Sequence, residues 1–210
     1  MGLPVYEPRR WLAVDAPLKN GPAARSPEAL RSVVAQFDVA HNPRYARSVG
    51  ATWCNRFVSD VTDALRCGVP HWIEVSRVHP DGRIDTSHAG DPAELPDPSA
   101  AFDPAAPRVN RVELTANGMI AWLNDHGPRF GWGQIDHSAA GAFAARGLPV
   151  VPAWANLDAH GKSVGPGHVA ICLPPVGPSL RIAQAGARNF YDEPLEAGFG
   201  RLVVLFYAHP

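Results

Sequence analysis

Of 210 residues only three are cysteine, Cys54, Cys67 and Cys172, and no two of them lie close together. An odd, dispersed set excludes a disulfide framework and offers no zinc-knuckle spacing, so each reads as a free thiol. An excess of one charge is also missing: 19 basic and 20 acidic residues leave a net charge of −1, and the basic ones do not cluster. That argues against a nucleic-acid binder held by phosphate contacts, and against simple electrostatic attraction to an anionic envelope. No run is long and apolar enough to span a membrane, so no membrane insertion is expected. Met1 to Arg10 lacks the basic-then-apolar pattern of a secretory leader, so the chain is expected to be made in the cytoplasm and to leave it, if at all, by another route. HExxH, an EF-hand loop, Cys/His metal spacing and a glycine-rich phosphate loop are all absent, so neither a metal nor another cofactor is expected. There is no internal repeat.

What is present suits one domain over residues 1–210, with an apolar share of 46% from which to build a core. Ser26 as N-cap and Pro27 at the first helical position predict a helix through Phe37, with Leu30, Val33, Val34 and Phe37 on its apolar face. Phe57, Val58, Val61, Ala64 and Leu65 predict a second helix, capped by Thr52 and stopped by Gly68-Val69-Pro70. Residues 78–112 scatter Pro80, Pro92, Pro96, Pro98, Pro104 and Pro107 among Asp, Ala and Gly with no periodicity. They read as an insertion, either a surface excursion or a flap beside a cleft. Helices are predicted again over Thr115–Asp125 and over Asp136–Arg146, with Asp136 as N-cap. Four short apolar runs follow, Pro149–Ala155, His168–Leu173, Leu180–Ala185 and Arg201–Tyr207, separated by Gly and Pro. Helices first and strands after predict an α+β fold, with N-terminal helices packed on an antiparallel sheet of about four to six strands.

The chemistry centres on Thr52-Trp53-Cys54-Asn55-Arg56-Phe57-Val58. With Thr52 as cap, Cys54 falls in the first turn of a buried helix, where free N–H groups and the helix dipole favour the thiolate. The same position also suits a small buried hydrophobe. A cysteine nucleophile needs a base, and the base needs an orienting group. Of the nine histidines, only His168 stands at the mouth of a predicted strand, in Gly165-Pro166-Gly167-His168-Val169-Ala170-Ile171. Strand alternation puts His168, Ala170 and Cys172 on one side, small neighbours that suit packing against the Cys54 helix. The next strand carries one uncharged polar side chain, Gln184, which either fixes the imidazole tautomer or is a half-exposed strand residue. Asn189 is the reserve for the orienting role.

Three segments thus occur in order: Thr52 to Val58, Gly167-His168-Val169-Ala170, and Ile182-Ala183-Gln184-Ala185-Gly186. Together they resemble the NlpC-type and CHAP-type cysteine peptidases and amidases of bacterial cell walls, a rearranged branch of the papain-like fold. Asn42-Pro43-Arg44-Tyr45 and Pro70-His71-Trp72 are similar to a subfamily of phage-associated and secreted wall hydrolases. The resemblance spans roughly residues 36–74 and 114–200. It implies a catalytic set of Cys54, His168 and Gln184, the last standing where many relatives have His, Asn or Glu. It implies Trp53, Asn55, His71, Trp72 and Asn189 as substrate-binding candidates. Trp132 and Trp154 also lie near the motifs, and either line a groove or sit in the core, the commoner place for such residues.

The implied reaction is cleavage of an amide in the peptidoglycan stem peptide or at its junction with the sugar, through a thioester on Cys54. The implied site of action is the periplasm or cell wall of a target bacterium. A chain without a leader would reach it as an effector of a contractile (type VI) secretion machine, with a cognate immunity protein, or as a phage lysis enzyme. Two other readings keep the same residues: a cysteine protease or deamidase acting on protein, and an inactive papain-like binding module.

Overall fold

Pro27 fixes the first helical φ, and the Ser26 side chain accepts from the Ala29 N–H at 3.1 Å, so α1 (Pro27–Ala35) starts where the cap chemistry predicts. The computed structural model describes residues 14–48, 50–74, 111–177 and 179–210, without the side chains of 72–74 and 111–112. The Pro-rich insertion therefore lies outside the described residues except for its last two, whose backbone is in a strand. Among the described residues the chain continues through α2 (Cys54–Ala64), β1 (Trp72–Glu74), β2 (Arg111–Glu113), α3 (Ala116–Asp125), β3 (Gly133–Ile135) and α4 (His137–Ala145). It finishes with β4 (Val150–Trp154), β5 (His168–Val169), β6 (Ile171–Val176), β7 (Ser179–Gln184), β8 (Phe190–Pro194), α5 (Leu195–Phe199) and β9 (Leu205–Ala208).

The fold is α+β. β1 and β2 pair as an antiparallel ribbon. The other strands form two antiparallel sheets, one in the order β3-β9-β4-β5 and one in the order β6-β7-β8. β5 and β6 are a single extended stretch broken at Ala170, whose N–H donates to Pro152 O at 3.1 Å. That break passes the chain from one sheet to the other and sets His168 at the start of the shared stretch.

Helices cover both faces. Apolar side chains of α1, α2 and α3 bury with Val151, Ala153, Val169, Ile171, Leu173, Ala183 and Ala185. Ala140 and Ala144 of α4 and Leu195 and Phe199 of α5 bury with Ala170, Cys172 and Ile182 on the opposite face. The alternation predicted along 168–173 is present, but the face that meets the Cys54 helix is that of Val169, Ile171 and Leu173. The side of His168, Ala170 and Cys172 faces α4 and α5, because its small residues leave room there for Phe199 and Ala140.

α2 is buried on its polar side as well as on its apolar stripe. Asp60, 0% exposed, accepts from Arg44 Nε at 2.6 Å, Arg44 Nη2 at 3.0 Å, Tyr45 Oη at 2.7 Å and the Val14 N–H at 3.0 Å. A buried carboxylate is tolerated because every lone-pair direction is used. Other expectations need correction. Trp53, not Thr52, is the N-cap of α2, and no side chain caps it. Asp136 is the N-cap of α4, with its backbone rather than its side chain taking the cap bonds. Residues 201–204 are not strand; β9 starts at Leu205, after a turn that follows α5.

Candidate active site

Cys54 is the first residue of α2 and 5% exposed. The uncapped start leaves backbone N–H groups unclaimed. Those of Cys54 and Asn55, and that of Val169 from β5, are directed at the sulfur and favour the thiolate. Burial outweighs them and pushes the Cys54 thiol above the usual range, with the nearby Glu113 carboxylate adding to the rise. Helix-start position therefore does not give a resting thiolate here, contrary to the expectation from sequence: desolvation is the larger effect.

The peptide that joins His168 to Val169 thus lies near enough to the sulfur for its N–H to favour the thiolate. His168 Nε2 donates to Gln184 Oε1 at 2.6 Å. The orientation of the Gln184 amide is fixed at its other end, where Nε2 donates to Arg188 O at 3.0 Å. With the oxygen toward the ring, the imidazole carries its proton on Nε2 and keeps Nδ1 as a proton acceptor. Burial holds the His168 pKa below its ordinary value, against the opposing effect of the Gln184 bond. Phe199 of α5 lies on the ring at 4.9 Å between centroids. Among the described residues no direct hydrogen bond links the Cys54 thiol to the His168 ring. The structure brings His168 and Gln184 into contact, and brings Cys54 only to the adjoining peptide.

A cleft of about 380 Å³ opens on Cys54, walled by Trp53, Asn55, Glu113, Arg47 and Gly167 among others. Trp53 is held at its edge by Nε1 donating to Ala46 O at 2.9 Å and on one face by the Arg56 guanidinium at 4.1 Å. Asn55 Nδ2 donates to Glu113 Oε1 at 3.0 Å and to Leu114 O at 2.9 Å. Of the remaining binding candidates, those whose side chains are described do not reach this wall. His71 is 2% exposed and bonded through Nδ1 to Ser59 Oγ at 2.8 Å, a partner inside the core. Asn189 donates to Tyr45 O at 2.7 Å and accepts from the Gly186 N–H at 3.0 Å, so it ties a turn rather than orienting the imidazole. Trp132 is a core residue with Nε1 donating to Cys67 O at 3.1 Å, and Trp154 packs on the α4–α5 side. The side chain of Trp72 lies outside the described residues.

Three residues at the site had no mark in the sequence. Glu113 and Arg47 give the cleft one carboxylate and one guanidinium. Asn117 of α3 donates to Ser163 Oγ at 2.8 Å and Gly165 O at 3.0 Å and accepts from the Asn156 N–H at 3.0 Å. It thereby pins the loop that brings Gly167 to the cleft. A Cβ on Gly167 would meet Asn117 Oδ1 at 2.2 Å, which is the local reason for glycine before His168. Among the described residues no cluster of His, Cys, Asp or Glu is arranged to hold a metal ion. Compared with known proteins, the chain matches no family model, no curated protein and no solved structure.

Proposed function

We propose that this chain is a cysteine amide hydrolase of papain-like, NlpC/CHAP-type arrangement that cleaves an amide bond of bacterial peptidoglycan. The observation that carries the chemistry is the Arg188–Gln184–His168 chain of hydrogen bonds, which leaves Nδ1 as the proton acceptor, on a strand whose next residue directs its N–H toward the Cys54 sulfur. The wall substrate is supported by the resemblance of the three motif segments.

The resting pair is a neutral thiol and a neutral imidazole, since burial raises one pKa and lowers the other. Substrate entry closes the gap between them, as catalytic hydrogen bonds often tighten only in the complex. The thiol proton passes to His168 Nδ1 as sulfur attacks the amide carbonyl carbon. The Cys54 N–H at the open helix start stabilises the oxyanion. The imidazolium then protonates the departing amine, leaving a thioester, and water deprotonated by the same ring releases the acid. Delivery as an antibacterial effector, opposed by an immunity protein, or as a phage lysis enzyme fits this reading equally.

Purified sacculi incubated with the protein should release soluble fragments whose masses identify a new amine and a new carboxylate. Intact sacculi together with cleavage of a protein amide would replace the wall substrate with a protein one.

A further inference from the structure

The cleft beside Cys54 carries a carboxylate that the hydrolytic steps do not use. Glu113 stands on its wall with its side chain 25% exposed. Among the described residues only one of its oxygens is engaged: Oε1 accepts from Asn55 Nδ2 at 3.0 Å and lies 3.8 Å from Arg56 Nη2. That guanidinium is also spent on the Trp53 ring at 4.1 Å and on Arg44 O at 3.3 Å. Oε2 takes no hydrogen bond among the described residues. The carboxylate is costly where it stands, because it faces a sulfur that must become negative, and like charges in a partly desolvated site oppose each other. A cation from the substrate would turn that opposition into attraction. Arg47, exposed on the same cleft, makes no ion pair among the described residues, so the cleft also carries one positive charge.

We propose that Glu113 is a substrate-selecting residue that holds a free primary ammonium group close to the scissile amide. The substrate class is then a peptide bearing an unblocked amine beside the cleaved bond, such as the free amino group of a stem-peptide diamino acid or a free N-terminus. A charge-assisted N–H···O bond to Glu113 Oε2 provides the selection, and neutralising the carboxylate favours the attacking thiolate. This rests on the amide-hydrolase reading, and it is tested so that the two can fail separately.

Two stem peptides identical except for N-acetylation of that amine are compared with the full-length protein. Wild type should show kcat/KM at least about tenfold higher on the free amine, since a charged hydrogen-bond partner is worth that much when its loss leaves a partly buried carboxylate unpaired. In Glu113→Gln, which keeps an oxygen for Asn55 Nδ2, the ratio should collapse to about one. Binding of both peptides to Cys54→Ala is measured by calorimetry alongside. Tighter binding of the free amine, lost in Cys54→Ala/Glu113→Gln, supports the ammonium site even if no peptide is turned over, and would leave only the hydrolase reading to fall. Equal binding and equal turnover of the two peptides by the wild-type residue, or a preference that survives Glu113→Gln, would overturn the proposal.

Discussion

In the proposed reaction Gln184 is the residue that fixes the base, because its amide can point only one way. The Arg188 carbonyl takes its N–H, so its oxygen meets His168 Nε2. Gln184→Ala should lower kcat by about ten- to a hundredfold with little change in KM, since it loosens the base without removing it. Cys54→Ala and His168→Ala should each remove nearly all turnover, because nucleophile and base act as a unit. The pH dependence follows from the same burial. His168 is held below its ordinary 6.5, so it stays neutral, and able to act as base, to a pH lower than a free histidine would. A profile of kcat/KM should therefore keep its plateau below pH 6.5 and fall only as pH drops through the depressed value. At this scale the places of Cys54 at a helix start, of His168 at a strand start and of Gln184 on the strand that follows were legible in the sequence. The protonation state of Cys54 was not, since desolvation depends on what packs around the sulfur. Glu113 was not legible either: a carboxylate next to a strand-like Val112 looks like a solvated charge until α2 and α3 bring Asn55 to it.

Whole elements set the tolerances of the site. α5 approaches β7 through Gly198, where an added Cβ would lie 2.3 Å from Gln184 Oε1. Gly198→Ala should push the amide off the imidazole and lower kcat much as Gln184→Ala does, while KM for substrate stays near its original value. Steady-state kinetics checks this, and an unchanged kcat would mean that the orienting bond is dispensable. α2 depends on the Asp60 cluster for its place in the core. Asp60→Ala removes the buried carboxylate to which Arg44, Tyr45 and the Val14 N–H all donate, and should destabilise the protein by about 3–5 kcal/mol in chemical denaturation. The apolar stripe of α2 was readable from spacing, and so were α1, α3 and α4. The polar lining of α2 was not, because Arg44, Tyr45 and Val14 reach Asp60 from sequence positions with no periodic relation to it. β1, β2, β3, β8 and α5 were missed for a simpler reason: each is five residues or shorter, and none stands out as an apolar run between Gly and Pro as the stretches around β4 and β9 do.

Across the molecule, buried thiols and tyrosines link stability to alkaline pH. Burial pushes Cys67 from 9.0 up to about 12. It also carries Tyr207 from 10.0 up to about 12. A folded-state pKa above the unfolded one contributes stability that is whole below the unfolded value and is lost as pH rises through the folded one. The thermal midpoint should therefore hold up to about pH 9 and fall steadily above it, with part of the slope removed in Cys67→Ala. A midpoint flat to about pH 11 would contradict that burial. The α+β class was legible in the order of helices and strands. The sharing of one extended stretch between two sheets was not, since the break at Ala170 is a matter of which neighbour pairs with it. Nor was the side of the sheet that meets α2: alternation divides the residues of a strand into two sets without saying which set faces which layer. The account as a whole stands on Cys54 attacking a wall amide. Its most direct test is mass spectrometry of sacculi treated in parallel with wild-type protein and with Cys54→Ala. Release of fragments with new amine and carboxylate ends by wild type alone is the predicted result; equal release by Cys54→Ala would contradict it.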